Sequence, residues 1–158
     1  MSDTLRIARR FNGPHDSGNG GYSAGLAARL LPTAQAVEAT IRAPIPLDQT
    51  LRAHPVADGI DVMTDDATTR ILIMSLRPVT LERPDVQSPG LPAAQVAARS
   101  FRDADDHVLP HCFVCGPNRA VGDGLRIFPD WLKDPAGIEW VLFGNPLPRV
   151  RLAPTFEA

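Results

Sequence analysis

Lysine is nearly missing from this chain: of its 16 basic residues only Lys133 is a lysine, the other 15 being arginine. That skew accompanies GC-rich bacterial coding and implies no particular chemistry. Cysteine is scarce too, with only Cys112 and Cys115, which excludes a disulfide framework. Neither sign of charge prevails: 16 basic and 18 acidic residues give a net charge of -2 and a pI near 6.0. No local run of basic residues repairs that balance, so nothing draws the chain to nucleic acid or to an anionic membrane. No apolar run approaches the roughly 18 residues that a membrane span needs, and the opening MSDTLRIARRF carries no hydrophobic signal core. The expectation is a cytoplasmic protein with neither nucleic acid nor membrane among its partners.

What is present is the composition of a folded chain. Apolar residues make up 44% and charged residues 22% of 158 positions, enough for one domain of ordinary size. The 16 prolines are about twice the usual share of roughly 5%, and most follow residue 77.

Residues 5–11, LRIARRF, alternate loosely and predict a strand. A glycine-rich stretch follows, from Asn12 to Gly21, and opens into YSAGLAARLL, residues 22–31, which is rich in Ala and Leu and stopped by Pro32. This predicts a slim helix with Leu26, Ala27 and Leu30 on one face. Strand patterns then occupy residues 36–44, Thr50 to Val62 with a turn at Asp58-Gly59, and 67–79, whose apolar density suits a strand covered on both faces. One strand, one buried helix and an antiparallel meander make an α+β fold. Residues 80–106 read as a linker, with Pro84, Pro89 and Pro92, a short helix over 93–101 and an acidic edge at Asp103, Asp105 and Asp106. Beyond it, 124–128 and 138–143 are strand candidates.

The segment from Asn12 through Tyr22, NGPHDSGNGGY, leading into an Ala/Leu helix, resembles the hotdog-fold proteins, the thioesterase and acyl-CoA dehydratase superfamily. In that superfamily a glycine-rich turn precedes a central helix wrapped by an antiparallel sheet. The resemblance covers residues 5–79. A second piece, CFVCGPNRAVGDGLRIFP over 112–129, is similar to the opening of many single hotdog thioesterase domains. Together they imply a double-hotdog relative with one unit at 1–79, a linker at 80–106 and an incomplete or divergent second unit at 107–158.

Helix amides lacking partners at an N-terminus polarise a carbonyl placed there, and glycines let it approach. The resemblance therefore implies binding, and hydrolysis, of an acyl-CoA or acyl-carrier-protein thioester by a homodimer or larger homo-oligomer, with no cofactor and no metal. Asn19, Gly21 and Asp16 are the expected catalytic residues; Asn12, Gly13, Ser17, Gly20 and Tyr22 are the expected substrate-binding residues. The family's helix carboxylate has no counterpart over Ala24–Arg29, so a non-catalytic acyl- or CoA-binding or assembly protein of the same fold is the alternative. His107, His111, Cys112 and Cys115 have zinc-like spacing, but adjacent His111 and Cys112 cannot easily share one ion, and the expected outcome is a tight turn with reduced thiols.

Overall fold

The computed structural model describes residues 3–66, 68–82, 90–99, 101, 106–133 and 139–144. Within it the chain divides into two compact units, Met1–Asp85 and Val86–Ala158. Pro84, Pro89, Asp103, Asp105 and residues 145–158 lie outside the described residues.

The first unit is an α+β fold built on one curled antiparallel sheet of five strands. Its strands are β1 (Thr4–Arg6), β2 (Ala36–Ile41), β3 (Thr50–Val56), β4 (Gly59–Thr64) and β5 (Leu72–Val79), in the spatial order β1-β3-β4-β5-β2. The turn at Asp58-Gly59 joins β3 to β4 in register, Val56 facing Gly59 and Leu51 facing Thr64. A register shift between Val62 and Met63 marks a bulge where β4 meets β5. The meander thus forms where alternating β-branched residues and turn residues predict it.

Helix α1 (Gly20–Ala28) lies between β1 and β2 in the chain. It contributes Ala27, fully buried, to a core with Ile7, Ile45, Leu47, Leu51, Val62, Ile73, Met74 and Leu76. Ala24 packs beside it, with Tyr22, Leu26 and, just past the helix, Leu30 flanking the contact, so the centre of the helix–sheet contact is made by the small Ala24 and Ala27. Close packing at native density needs such residues where a helix approaches a sheet. In β5 four consecutive residues, Ile73 to Leu76, are buried, as the apolar density of that strand predicts.

Several boundaries differ from the sequence reading: the strands expected over 36–44 and 67–79 are Ala36–Ile41 and Leu72–Val79. The first strand stops at Arg6, and Arg9–Phe11 forms a 3₁₀ turn instead, closed by the Phe11 N–H donating to the Ala8 carbonyl at 2.9 Å. The turn directs Phe11 onto Tyr22, with ring centroids 3.9 Å apart and planes 11° from parallel. The helix begins at Gly20 rather than residue 22, because Asn19 caps it, and ends at Ala28. Arg29, Leu30 and Leu31 tighten into i→i+3 bonds onto Leu26, Ala27 and Ala28 just ahead of Pro32, as helix ends commonly do.

The second unit contains helix α2 (Leu91–Arg99) and a hairpin of β6 (Phe128–Lys133) with β7 (Glu139–Gly144). The 80–106 linker therefore holds a nine-residue helix. The strand expected over 124–128 is displaced toward the C-terminus: Arg126 takes a left-handed φ of 51°, which no strand accommodates. Here the Leu125 and Ile127 N–H groups reach back to the Phe113 and Val114 carbonyls, both at 2.8 Å, holding this segment against the cysteine turn. No helix among the described residues is long and apolar enough to cross a membrane.

Candidate functional site

Residues 12–18 form a small closed loop rather than a disordered bridge. Asn12 and Gly18 make an isolated antiparallel bridge, and the Gly13 N–H donates to the Ser17 carbonyl at 2.9 Å. The buried Asn12 amide donates from Nδ2 to the carbonyls of Gly13 and Pro14, at 3.1 and 3.3 Å. Such Asx contacts satisfy a loop backbone that lacks ladder partners.

The loop is bolted to the chain at both ends. Gly18 N–H donates to the Ile45 carbonyl at 2.9 Å, and Asn19 N–H to the Phe11 carbonyl at 2.8 Å. Ile45 N–H returns a bond to Ser17 Oγ at 2.9 Å. Gly18 has no room for a side chain: a Cβ there would lie 2.9 Å from Ile45 Cγ2 and from Ser23 Oγ. This close approach brings the start of α1 against the core.

Asn19 is the N-cap of α1, its Oδ1 accepting the Tyr22 N–H at 3.0 Å. The Ser23 N–H is taken by the Asn19 carbonyl at 2.9 Å. The N–H groups of Gly20 and Gly21 are left with no protein partner among the described residues, as expected of the first positions of a helix. Gly21 is exposed and so is Gly25, one turn further on, where a Cβ would meet nothing within 4 Å. Residues four apart share a helical face, so the two glycines leave a bare strip running from the free amides along α1.

The other expected residues have distinct environments. Tyr22 is half-buried against Phe11, and burial raises its hydroxyl pKa against a smaller lowering from Arg10. Asp16 projects from the loop with its side chain 85% exposed, its Oδ1 2.7 Å from His15 Nδ1. It also lines an open cleft of about 370 Å³, together with Arg9, Pro44, Pro46, Gln49, Thr64 and Ile71. Clefts of that volume are in the range that holds small ligands.

The structure thus gathers Asn12, Gly13, Ser17 and Asn19 into one hydrogen-bonded scaffold that presents Gly20 and Gly21. It puts Asp16 on the cleft, whose lining includes none of Asn19, Gly20, Gly21 or Tyr22. Sequence reasoning missed the cleft wall over Ala43–Leu47. Two prolines alternating within residues 43–47 were its signal, since they cannot continue a strand ladder. It also missed Ile45, whose backbone anchors the loop from both directions.

The four candidate ligands around residue 110 are not assembled. Among the described residues no three His, Cys, Asp or Glu side chains converge on a common point. His107 Nδ1 accepts the Leu109 N–H at 2.9 Å, and both cysteines are free thiols. No protein-family model, no curated protein and no solved structure matches this chain.

Proposed function

We propose that the first unit is a hotdog-type domain that binds the thioester of an acyl-CoA or acyl-carrier protein and hydrolyses it. The observation that carries this reading is the pair of unpartnered N–H groups at Gly20 and Gly21, on a helix packed against an antiparallel sheet. A thioester carbonyl seated there accepts both N–H groups, and the helix dipole favours the charge that grows on its oxygen. Donors of this kind contribute about 3–4 kcal/mol each to transition-state stabilisation in hydrolases.

Asn19 keeps the amides aimed outward by holding the Tyr22 N–H. The acyl chain follows the bare strip past Gly25. Water oxygen bonds to the carbonyl carbon as Asp16, acceptor-only when ionised, takes its proton; the tetrahedral species then collapses with the C–S bond breaking, and the departing thiolate receives that proton from Asp16. The active species is a homodimer or larger homo-oligomer of cytoplasmic chains, since a single unit leaves the helix's active end incompletely enclosed. A second reading, binding without turnover, is favoured by one observation: the helix offers only Ala24, Gly25, Leu26, Ala27 and Ala28 beyond its first turn, with no carboxylate.

The test is thiol release from a panel of acyl-CoA thioesters by the wild-type chain and by Gly21→Val. A Cβ at Gly21 meets only Asn19 Oδ1, at an ordinary 3.6 Å, so the variant folds while its side chain covers the amides. Release that disappears in the variant supports hydrolysis. No release, with acyl-CoA still raising the melting temperature of the wild type alone, supports the binding reading. Equal behaviour of the two chains overturns both.

A further inference from the structure

We propose that Cys112 and Cys115 form a two-thiolate site for a soft, thiophilic monovalent metal ion of the Cu(I) type. The two cysteines stand three apart on a single turn, closed by the Gly116 N–H donating to the Cys112 carbonyl at 2.9 Å. That spacing, within the turn closed by the Gly116 N–H, puts both side chains on one side of it. Gly116 must be glycine, because a Cβ would fall 2.5 Å from Cys112 N and 2.6 Å from both the Cys112 and Pro110 carbonyl oxygens.

The turn is rigidly held from outside. Arg119 donates from Nε to the His111 carbonyl at 2.9 Å and from Nη1 to Asp123 Oδ2 at 2.8 Å. Arg126 donates from Nη1 to the carbonyls of Pro117 and Arg119, at 2.9 and 2.6 Å. The Leu125 and Ile127 N–H groups bind the carbonyls of the two residues between the cysteines. A dithiol fixed in this way is pre-organised, and little ordering remains when a ligand bridges the sulfurs.

The donor set selects the metal. Zinc in structural sites takes four ligands in a tetrahedron, and among the described residues no third His, Cys, Asp or Glu joins the two sulfurs. Soft thiolates favour Cu(I) over harder ions, and a d¹⁰ monovalent ion is satisfied by two sulfurs. Cys112 is buried at 3% exposure, whereas Cys115 is half-buried, so the ion enters at Cys115. On binding, each thiol releases one proton to water as its sulfur–metal bond forms. The metal keeps its oxidation state, and the bound unit carries one negative charge.

The experiment offers Cu(I), as its coloured bicinchoninate complex, to the reduced full chain under anaerobic conditions. The expected result is loss of colour equivalent to one Cu(I) per chain, abolished in Cys115→Ser and in Cys112→Ser. Cys115→Ser is decisive because the half-buried site tolerates the change, and far-UV circular dichroism checks that it folds. No transfer to the wild type, or equal transfer to Cys115→Ser, overturns the proposal. So does retention of one Zn(II) per chain against nitrilotriacetate, which requires a four-ligand site.

Discussion

Adding one methyl group at Gly18 and one at Gly25 should move stability in opposite directions. At Gly18 the new carbon would sit 2.9 Å from Ile45 Cγ2 and Ser23 Oγ and 3.2 Å from Ile7 Cγ2. Ile7 and Ile45 are 0% and 2% exposed, so neither can retreat into solvent, and only the Ser23 hydroxyl can rotate away. Overpacking of that kind costs about 1–3 kcal/mol. In a unit of this size each kcal/mol lowers the melting temperature by about 4–8 °C. At Gly25 nothing lies within 4 Å, and the residue is in the interior of an exposed helical face. There Ala gains about 0.5–1 kcal/mol over Gly, because the unfolded chain has less freedom to lose. Urea unfolding followed by far-UV circular dichroism, with an unchanged m-value, measures both. Amide exchange at Ile45 and Ser23 localises the first effect. A neutral Gly18→Ala would refute the packing of the loop against Ile45. A destabilising Gly25→Ala would refute the bare strip along α1 and require something to cover it.

Three shorter predictions accompany this one. Asn19→Ala removes the cap on the Tyr22 N–H and costs about 1 kcal/mol, read as a lower urea midpoint, with Asn19→Asp restoring most of it. The carboxyls of Asp65, hydrogen-bonded and ion-paired to Arg52, and of Asp66, hydrogen-bonded to Thr68 and Thr69, are held below the ordinary aspartate range. A depressed folded pKa stabilises the fold above the unfolded pKa, and the benefit is lost as pH falls through the folded one. The double variant with Asn at both positions should therefore melt with a flatter acid dependence below about pH 4, and an unaltered acid limb would count against these contacts. Burial and the Cys112 thiol push the Cys115 thiol up to about 11. Since the thiolate is the nucleophile, its alkylation by iodoacetamide at neutral pH should be about a hundred times slower than that of a free cysteine, the ratio of the two thiolate fractions, and should keep rising toward pH 11.

The strands of the meander were legible because period-2 alternation and the Asp58-Gly59 turn are local signals. The helix was legible from its Ala/Leu run and Pro32, but its first turn was not. Gly20 and Gly21 have poor helix propensity and are helical because Asn19 caps them and Gly18 is pinned to Ile45 from 27 residues away. The same contacts settle where Asn12 and Ser17 point. As candidate binding residues they looked like polar side chains in an open loop; in the fold Asn12 binds loop carbonyls and Ser17 the Ile45 N–H. In the second unit, the apolar and β-branched pattern over 124–128 was outweighed by a left-handed Arg126 and two backbone bonds to the cysteine turn.

By itself the sequence determined the class of the first unit, the order of its elements and the short list of residues beside the glycine-rich loop. Those follow from periodicity, turn chemistry and composition, which act between near neighbours. Tertiary structure alone decided that β2 leaves the meander to pair with β5 at the far edge, and that a cleft opens beside Asp16. It also decided which amides at the helix start stay free and that the turn carrying the two thiols is clamped by Arg119 and Arg126. Each of these depends on backbone groups brought together across long separations in the chain or on a single φ angle, and neither leaves a periodic trace in the sequence.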